Sequence, residues 1–130
     1  MAASDTGDPG SDDVRIAAAR AYIEALASHK ADDVPFAPDC TRIEFGIKTG
    51  FSGEQMRRDL NRGPQYRVIK EITEPEFTVN GDEIRAKFEL VTKPKLAGRR
   101  VAARIDETFL IPVADGKIHH IHATVRPFIK

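Results

Sequence analysis

The stretch TVNGDEIRAKFELV, residues 78–91, carries two signals of one architecture. Asn80-Gly81 supplies the positive backbone φ angles that a two-residue hairpin turn demands. After it the side chains alternate, with Ile84, Ala86, Phe88 and Leu90 on one parity and Glu83, Arg85, Lys87 and Glu89 on the other. A period of two with one apolar row describes a strand with a dry face and a wet face. Working outward, residues 66–79 read as strand before this turn, and PKLAG turns the chain after it. Residues 99–112 form the next strand, ADG turns the chain again, and 117–127 close the sheet. The second half of the chain is therefore expected to be a four-stranded antiparallel meander.

The first half has a different period. Val14, Ala17, Ala18, Ala21, Tyr22, Ala25 and Leu26 recur at helical spacing, behind Ser11, Asp12 and Asp13 as cap and first-turn acids. This helix is expected to stop near His29. ADDVPFAPD reads as a turn or short helix broken by Pro35 and Pro38. Residues 40–51, CTRIEFGIKTGF, read as one or two short strands. Residues 52–63 form a second helix, capped by Ser52, burying Met56 and Leu60, and stopped at Gly63-Pro64. Two helices beside a curved sheet make an α+β cone with an apolar pocket inside.

With 130 residues, the chain has room for about one domain, expected over 12–130, after a disordered tail over 1–11. Its 20 basic and 20 acidic side chains cancel, and the pI is about 6.9. That balance argues against an electrostatic nucleic-acid or anionic-membrane binder. No apolar run approaches the roughly 20 residues of a membrane span. The N-terminus lacks the basic and apolar stretches of a signal peptide, and Cys40 is the sole cysteine. A cytoplasmic location is the simplest expectation.

Three stretches carry a family likeness: RAYIEALASHKADDVPFAPDCTRIEFG (20–46), GFSGEQMRRDL (50–60) and ADGKIHHIHATV (114–125). Together they resemble the nuclear transport factor 2-like superfamily, in its SnoaL-like and ketosteroid isomerase-like branch. That resemblance implies a cone-shaped curved antiparallel sheet covered by a long N-terminal helix and a second helix. It also implies a small hydrophobic ligand and a homodimer formed through the sheet. Its members include isomerases, cyclases, dehydratases, epoxide hydrolases and non-catalytic proteins, so the likeness alone leaves the chemistry open.

Carried over residue by residue, the ketosteroid isomerase pattern puts its oxyanion-hole tyrosine at Tyr22 and its catalytic base at Glu44. Its neutral aspartic acid falls near Asp106. The implied chemistry is proton abstraction next to a carbonyl without a cofactor, with two neutral donors holding the oxyanion. Glu44 departs from the family aspartate by one methylene. The limonene epoxide hydrolase pattern, an arginine bridging two acids, is similar to Arg104 and Asp106, but its remaining acid falls on Ala123. The further alternative is a ligand-binding or dimerising module without chemistry.

Alternation weighs these positions. Tyr22 lies on the buried helix stripe, where a partnered core tyrosine is the plainer explanation. Glu44 is opposite in parity to Ile43, Phe45 and Ile47, which suits either solvent or a pocket. Val101, Ala103, Ile105, Phe109 and Ile111 share one face of the 99–112 strand, and Arg104 and Asp106 share the other. The catalytic assignment requires the Arg104/Asp106 face to line the pocket and the apolar face to be a dimer surface, with Arg104 pairing Asp106. On the last strand His119 has the parity of Ile121, Ala123 and Val125, which makes His119 a rim candidate and Ile121, Ala123 and Phe88 pocket candidates. His120 and His122 take the opposite face, and the histidine spacing does not supply a metal site. Cys40 reads as a small strand residue. KPKLAGRR, 93–100, is a basic hairpin tip, either solvated or docking an anionic partner.

Overall fold

The computed structural model describes residues 8 and 10–130. Most of the expected 1–11 tail lies outside the described residues. Helix α1 (Asp12–Ser28) leads into β1 (Phe36–Glu44) and β2 (Ile47–Gly50). Helices α2 (Gly53–Arg62) and α3 (Pro64–Arg67) follow. The sheet is completed by β3 (Ile69–Ile72), β4 (Glu76–Asn80), β5 (Glu83–Leu96), β6 (Arg99–Leu110) and β7 (Ile118–Ile129).

Local chemistry sets the helix ends. The Ser11 hydroxyl accepts from the Val14 amide, and His29, in the left-handed region at φ 61°, closes α1. Ser52 accepts from the Gln55 amide at the start of α2. The face α1 buries is turned by about one residue from the expected stripe. Arg15, Ala19 and Ile23 are inside, whereas Ala17 is exposed. Arg15 accounts for the difference. Its Nε donates to the Ile111 carbonyl at 2.7 Å and its Nη2 to the Gly81 carbonyl, tying the helix to the β4–β5 turn.

Seven strands form one curved sheet in the order β2-β1-β7-β6-β5-β3, and β4 continues along β5 beyond β3. The meander of β4, β5, β6 and β7 has the expected antiparallel pairing. Two boundaries differ from expectation. The chain from 66 to 79 is not one strand, because Tyr66 lies in α3 and residues 73–75, ending in Pro75, separate β3 from β4. In addition, β1 starts at Phe36 rather than near residue 40 and runs parallel to β7. The core lies between α1, α2 and the concave face, around Tyr22, Ile23, Met56, Leu60, Phe109 and Ile121. No described helix is long and apolar enough to cross a membrane.

Candidate functional site

On β6 the apolar row faces inward. Ala103, Ile105, Phe109 and Ile111 are buried, and Glu107, which shares their parity, is 2% exposed. Asp106 and Arg104 point out of the cone. Their expected place in the pocket lining is therefore corrected: alternation sends them to the face opposite Glu107. Asp106 is paired with Arg85 and not with Arg104, at 2.9 Å and 2.5 Å in a two-pronged contact. Hydrogen bonding from Arg85 holds its carboxyl below the usual range, the opposite of a neutral acid. Arg104 lies 3.7 Å from Glu89 and stacks on Phe128.

On β1 the parity choice runs the other way. Cys40, Arg42 and Glu44 turn inward and Phe45 turns out. Arg42 is 1% exposed. Its Nε donates to Thr49 Oγ1 at 3.0 Å, its Nη2 to the Thr49 carbonyl at 3.1 Å, and its Nη1 to the Tyr22 hydroxyl at 3.3 Å. The adjoining Gly50 makes room for this side chain, since a Cβ there would stand 2.6 Å from both Arg42 Cβ and Met56 Sδ. Glu44 Oε1 accepts from Thr49 Oγ1 at 3.0 Å and from the Tyr66 hydroxyl at 3.2 Å, and lies 3.4 Å from Arg42 Nε.

Glu44, Tyr66 and Glu107 line one cavity of about 280 Å³. Its other walls are mostly apolar, from Leu26, Ile69, Leu90, Ile105, Ala123 and Val125. Among the described residues Glu107 Oε1 finds no hydrogen-bond partner. Burial, then the Glu44 charge, push its carboxyl up to about 8 against a smaller opposing pull from Arg42. Glu107 therefore favours its protonated form at neutral pH. Burial also raises the Tyr22 and Tyr66 hydroxyls above their ordinary value, so both are neutral donors. The cavity therefore holds a buried acid that favours its neutral form and a hydrogen-bonded Glu44 between mostly apolar walls.

The remaining expected residues divide. Ala123 lines the cavity, whereas Ile121 and Phe88 belong to the core and Tyr22 lies behind Arg42. His119 does not reach the cavity rim, because its Nε2 lies 2.7 Å from Asp115 Oδ2 at the preceding turn. His120 Nδ1 lies 2.7 Å from Thr41 Oγ1, and burial followed by the His122 charge lowers its affinity for a proton. Burial pushes the Cys40 thiol up to about 12. Among the described residues no three His, Cys, Asp or Glu side chains are grouped to hold a metal ion. A larger concavity, about 750 Å³, lies on the outer face beside Lys87, Glu89, Arg104 and Asp106, where Arg104 lies near Glu89 and Asp106 is taken by Arg85.

Sequence reasoning missed Arg42, Tyr66 and Glu107. For Glu107 a signal existed, since it is the one carboxylate in the row of Ala103, Ile105, Phe109 and Ile111. A charged residue inside an apolar row is the informative exception to burial rules.

A curved sheet wrapped on a helix, with polar groups at one side of an apolar cavity, defines a nuclear transport factor 2-like fold. Three solved structures are similar to it. An LEH-like epoxide hydrolase from M. tuberculosis has a TM-score of 0.64 and 18% identity, covering 86% of this chain and 82% of that one. A protein of the SnoaL-like family from Agrobacterium tumefaciens has 0.62 and 10%, covering 86% and 97%. An NTF2-like protein with a cystatin-like fold from Novosphingobium aromaticivorans has 0.52 and 16%, covering 82% and 75%. No curated protein matches the chain in sequence. The chain belongs to the family described as Domain of unknown function (DUF8021), whose model matches residues 9–125.

Proposed function

We propose that this chain is a SnoaL-like, cofactor-independent acid–base catalyst that shifts a proton on a small, largely apolar carbonyl compound. One observation carries the proposal: Glu107, a buried carboxyl with an oxygen that finds no partner among the described residues, shares a mostly apolar cavity with the hydrogen-bonded Glu44. Glu44 takes a proton from the carbon next to the carbonyl. The C–H electron pair becomes the new C=C bond, and the carbonyl π pair moves to oxygen. Glu107 hydrogen-bonds that oxygen. In a β,γ-unsaturated substrate the oxyanion pair then returns to the carbonyl and the enolate π pair shifts to form the α,β C=C. The former β,γ π pair takes the proton back from the Glu44 carboxyl at the γ-carbon, which completes the isomerisation. Arg42 and Tyr66 orient Glu44, and Tyr22 supports Arg42 from behind. In this proposal the neutral acid of the isomerase pattern is Glu107 and not its neighbour Asp106. The protein is proposed to act as a cytoplasmic homodimer, paired through the outer sheet face, where Lys87, Glu89, Arg104 and Asp106 offer alternating charge to a twofold copy.

The test is exchange of the α-protons of 2-indanone in D₂O, followed by NMR. Wild type is expected to accelerate exchange, and Glu44→Gln and Glu107→Gln to lose roughly a hundredfold or more while keeping the fold. Exchange no faster than with free glutamate would favour a non-catalytic binding module. A second reading draws on Ala123, which leaves space between the two carboxyls. Glu107 would protonate an epoxide oxygen while Glu44 takes a proton from the attacking water. Opening of styrene oxide without exchange of 2-indanone selects it.

A further inference from the structure

The cavity opens where its exposed lining residues stand: Phe45, Gln65, Val68 and Pro127. Phe45 and Val68 stand at this opening, and Ile47, paired with Glu44, and Phe51 belong to the adjoining β1–β2 segment. Phe45 is 67% exposed, Ile47 64%, Phe51 62% and Val68 41%. Beyond Thr92 and Val101, which also line the cavity, β5 and β6 run on as an arm that pairs Lys95 with Arg100 and Leu96 with Arg99; its base is tied down by the Lys93 amide on the Val68 carbonyl and the Lys130 amide on the Arg100 carbonyl. Leu96, 61% exposed, stands roughly 13 Å along the strand from Thr92. Ala97 and Gly98 turn the tip at positive φ, and Arg100 Nη1 donates to the Lys93 carbonyl at 2.6 Å, bracing the arm.

The exposed charges of this end are mostly basic. The segments 45–51, 65–70, 92–101 and 125–130, each of which contributes to the cavity lining, contain no aspartate or glutamate, although Glu44 and Glu107 line the cavity itself. They do carry Lys48, Arg67, Lys93, Lys95, Arg99 and Arg100, and Lys48 Nζ lies 5.0 Å above the Phe51 ring. Because the whole chain has equal numbers of acids and bases, its neutrality conceals a basic mouth and an acidic remainder. Composition alone argued against an anionic surface, but it is the distribution of charge that decides binding.

We propose that the mouth of the cone docks on an anionic phospholipid bilayer, with Phe45, Ile47, Phe51 and Leu96 entering the headgroup region and the lysines and arginines facing lipid phosphates and carboxylates. Apolar tips with basic neighbours are the combination that binds the interface. The tips come from separate turns spread around an opening, a shape that suits a surface better than a peptide, which needs a groove or a sheet edge. In this pose an apolar ligand passes from bilayer to cavity without crossing water. The proposal stands apart from the acid–base chemistry, because vesicle binding is measured without turnover.

The test is co-sedimentation of the full chain with vesicles of phosphatidylcholine, or of phosphatidylcholine with one third phosphatidylserine. The chain has no tryptophan, so Phe45→Trp provides a single emission reporter. Binding is expected to be about tenfold or more tighter to the anionic vesicles, weaker at high salt, and accompanied by a blue shift of the Trp emission. Leu96→Asp and the double variant Lys93→Glu/Lys95→Glu, both outside the cavity, are expected to lose most of that binding while keeping the wild-type circular dichroism. The proposal fails if the emission does not move, or if both variants sediment like wild type. It also fails if soluble polyglutamate competes as well as the vesicles do, which would point to an acidic protein partner. Apolar association of copies without lipid, abolished by Leu96→Asp, would likewise overturn it.

Discussion

Glu44 and Glu107 stand in register with the same residue, Ala123, from opposite sides: β1 pairs Glu44 with Ala123 and β6 pairs Glu107 with Ala123. Adjacent strands lie about 4.8 Å apart, so the two acid-bearing backbones are separated by roughly 10 Å with one methyl between them. The carboxyls reach into a shared space that a larger residue at 123 would fill. They differ sharply in surroundings. Glu44 has Thr49, Tyr66 and Arg42 around it, whereas Glu107 Oε1 finds no partner among the described residues. Two like groups pushed apart in this way are the usual basis for separate acid and base roles.

Glu107 makes stability depend on pH. Its carboxyl titrates near 8 in the folded protein and near 4.5 when unfolded. Below about 4.5 both states hold the proton. Between 4.5 and 8 the unfolded chain releases it while the folded chain keeps it, so stability falls as pH rises and levels off above 8. The loss is on the order of a few kcal/mol. Thermal melts of wild type should decline across this window. Glu107→Gln, a neutral isostere, should melt at a higher temperature than wild type at pH 9, with a flatter profile.

Ala123→Val tests the gap between the acids. The added methyls enter the cavity and not packed atoms, so the melting temperature should hold or rise slightly. Ligand exchange should nevertheless collapse, because the space where both carboxyls reach one molecule is lost. Isotope exchange and melting measured on one preparation separate these effects. A fall in both together would point to ordinary overpacking.

Much of the fold was legible because it rests on local periods. The hairpin signal at Asn80-Gly81, the alternation after it and the Ser52 cap act over a few residues, and each corresponds to an observed element. The turn itself falls on Gly81 and Asp82, with Asn80 paired to Glu83 and positive φ at Gly81. The site was less legible because it depends on which face each strand turns inward, and that is a tertiary choice. On β6 the apolar row goes in and takes Glu107 with it. On β1 the polar Arg42 and Glu44 go in, against the pattern of Ile43 and Phe45. The β1–β7 register shifts between Phe36 and Thr41, yet even-numbered Phe36, Cys40 and Arg42 are buried on both sides of the shift. Spacing on β6 did mark Glu107 as the one carboxylate in its apolar row, but which row turns inward is decided by the neighbouring elements, so the signal was readable for Glu107 and not for Arg42 and Glu44.

Tyr22→Phe distinguishes a supporting tyrosine from a donor to the ligand. The hydroxyl accepts from Arg42 Nη1 at 3.3 Å and is fully buried. Its removal leaves a buried guanidinium N–H unpaired, at a cost of about 1–3 kcal/mol. Because the hydroxyl does not line the cavity, isotope exchange should fall by roughly tenfold or less, whereas loss of an oxyanion donor costs about a hundredfold or more. Urea melts and 2-indanone exchange measured side by side check both values. A hundredfold loss in exchange would mean that Tyr22 reaches the reacting oxygen.

Asp106→Asn is the complementary test of face. Asp106 stands on the outer surface, held by Arg85, a half-exposed partner. Surface pairs of this kind are screened by solvent and salt and contribute little. The variant should retain wild-type exchange at every pH, and its melting temperature should be indistinguishable from wild type in high salt. Glu107→Gln, one residue along the same strand, should lose nearly all exchange. If instead Asp106→Asn were the inactive variant, the inward face of β6 would be the even-numbered one, and the acid–base pair proposed here would be wrong at its foundation. Measuring both variants on one day, with circular dichroism to establish folding, gives the sharpest contrast that two neighbouring carboxylates can provide.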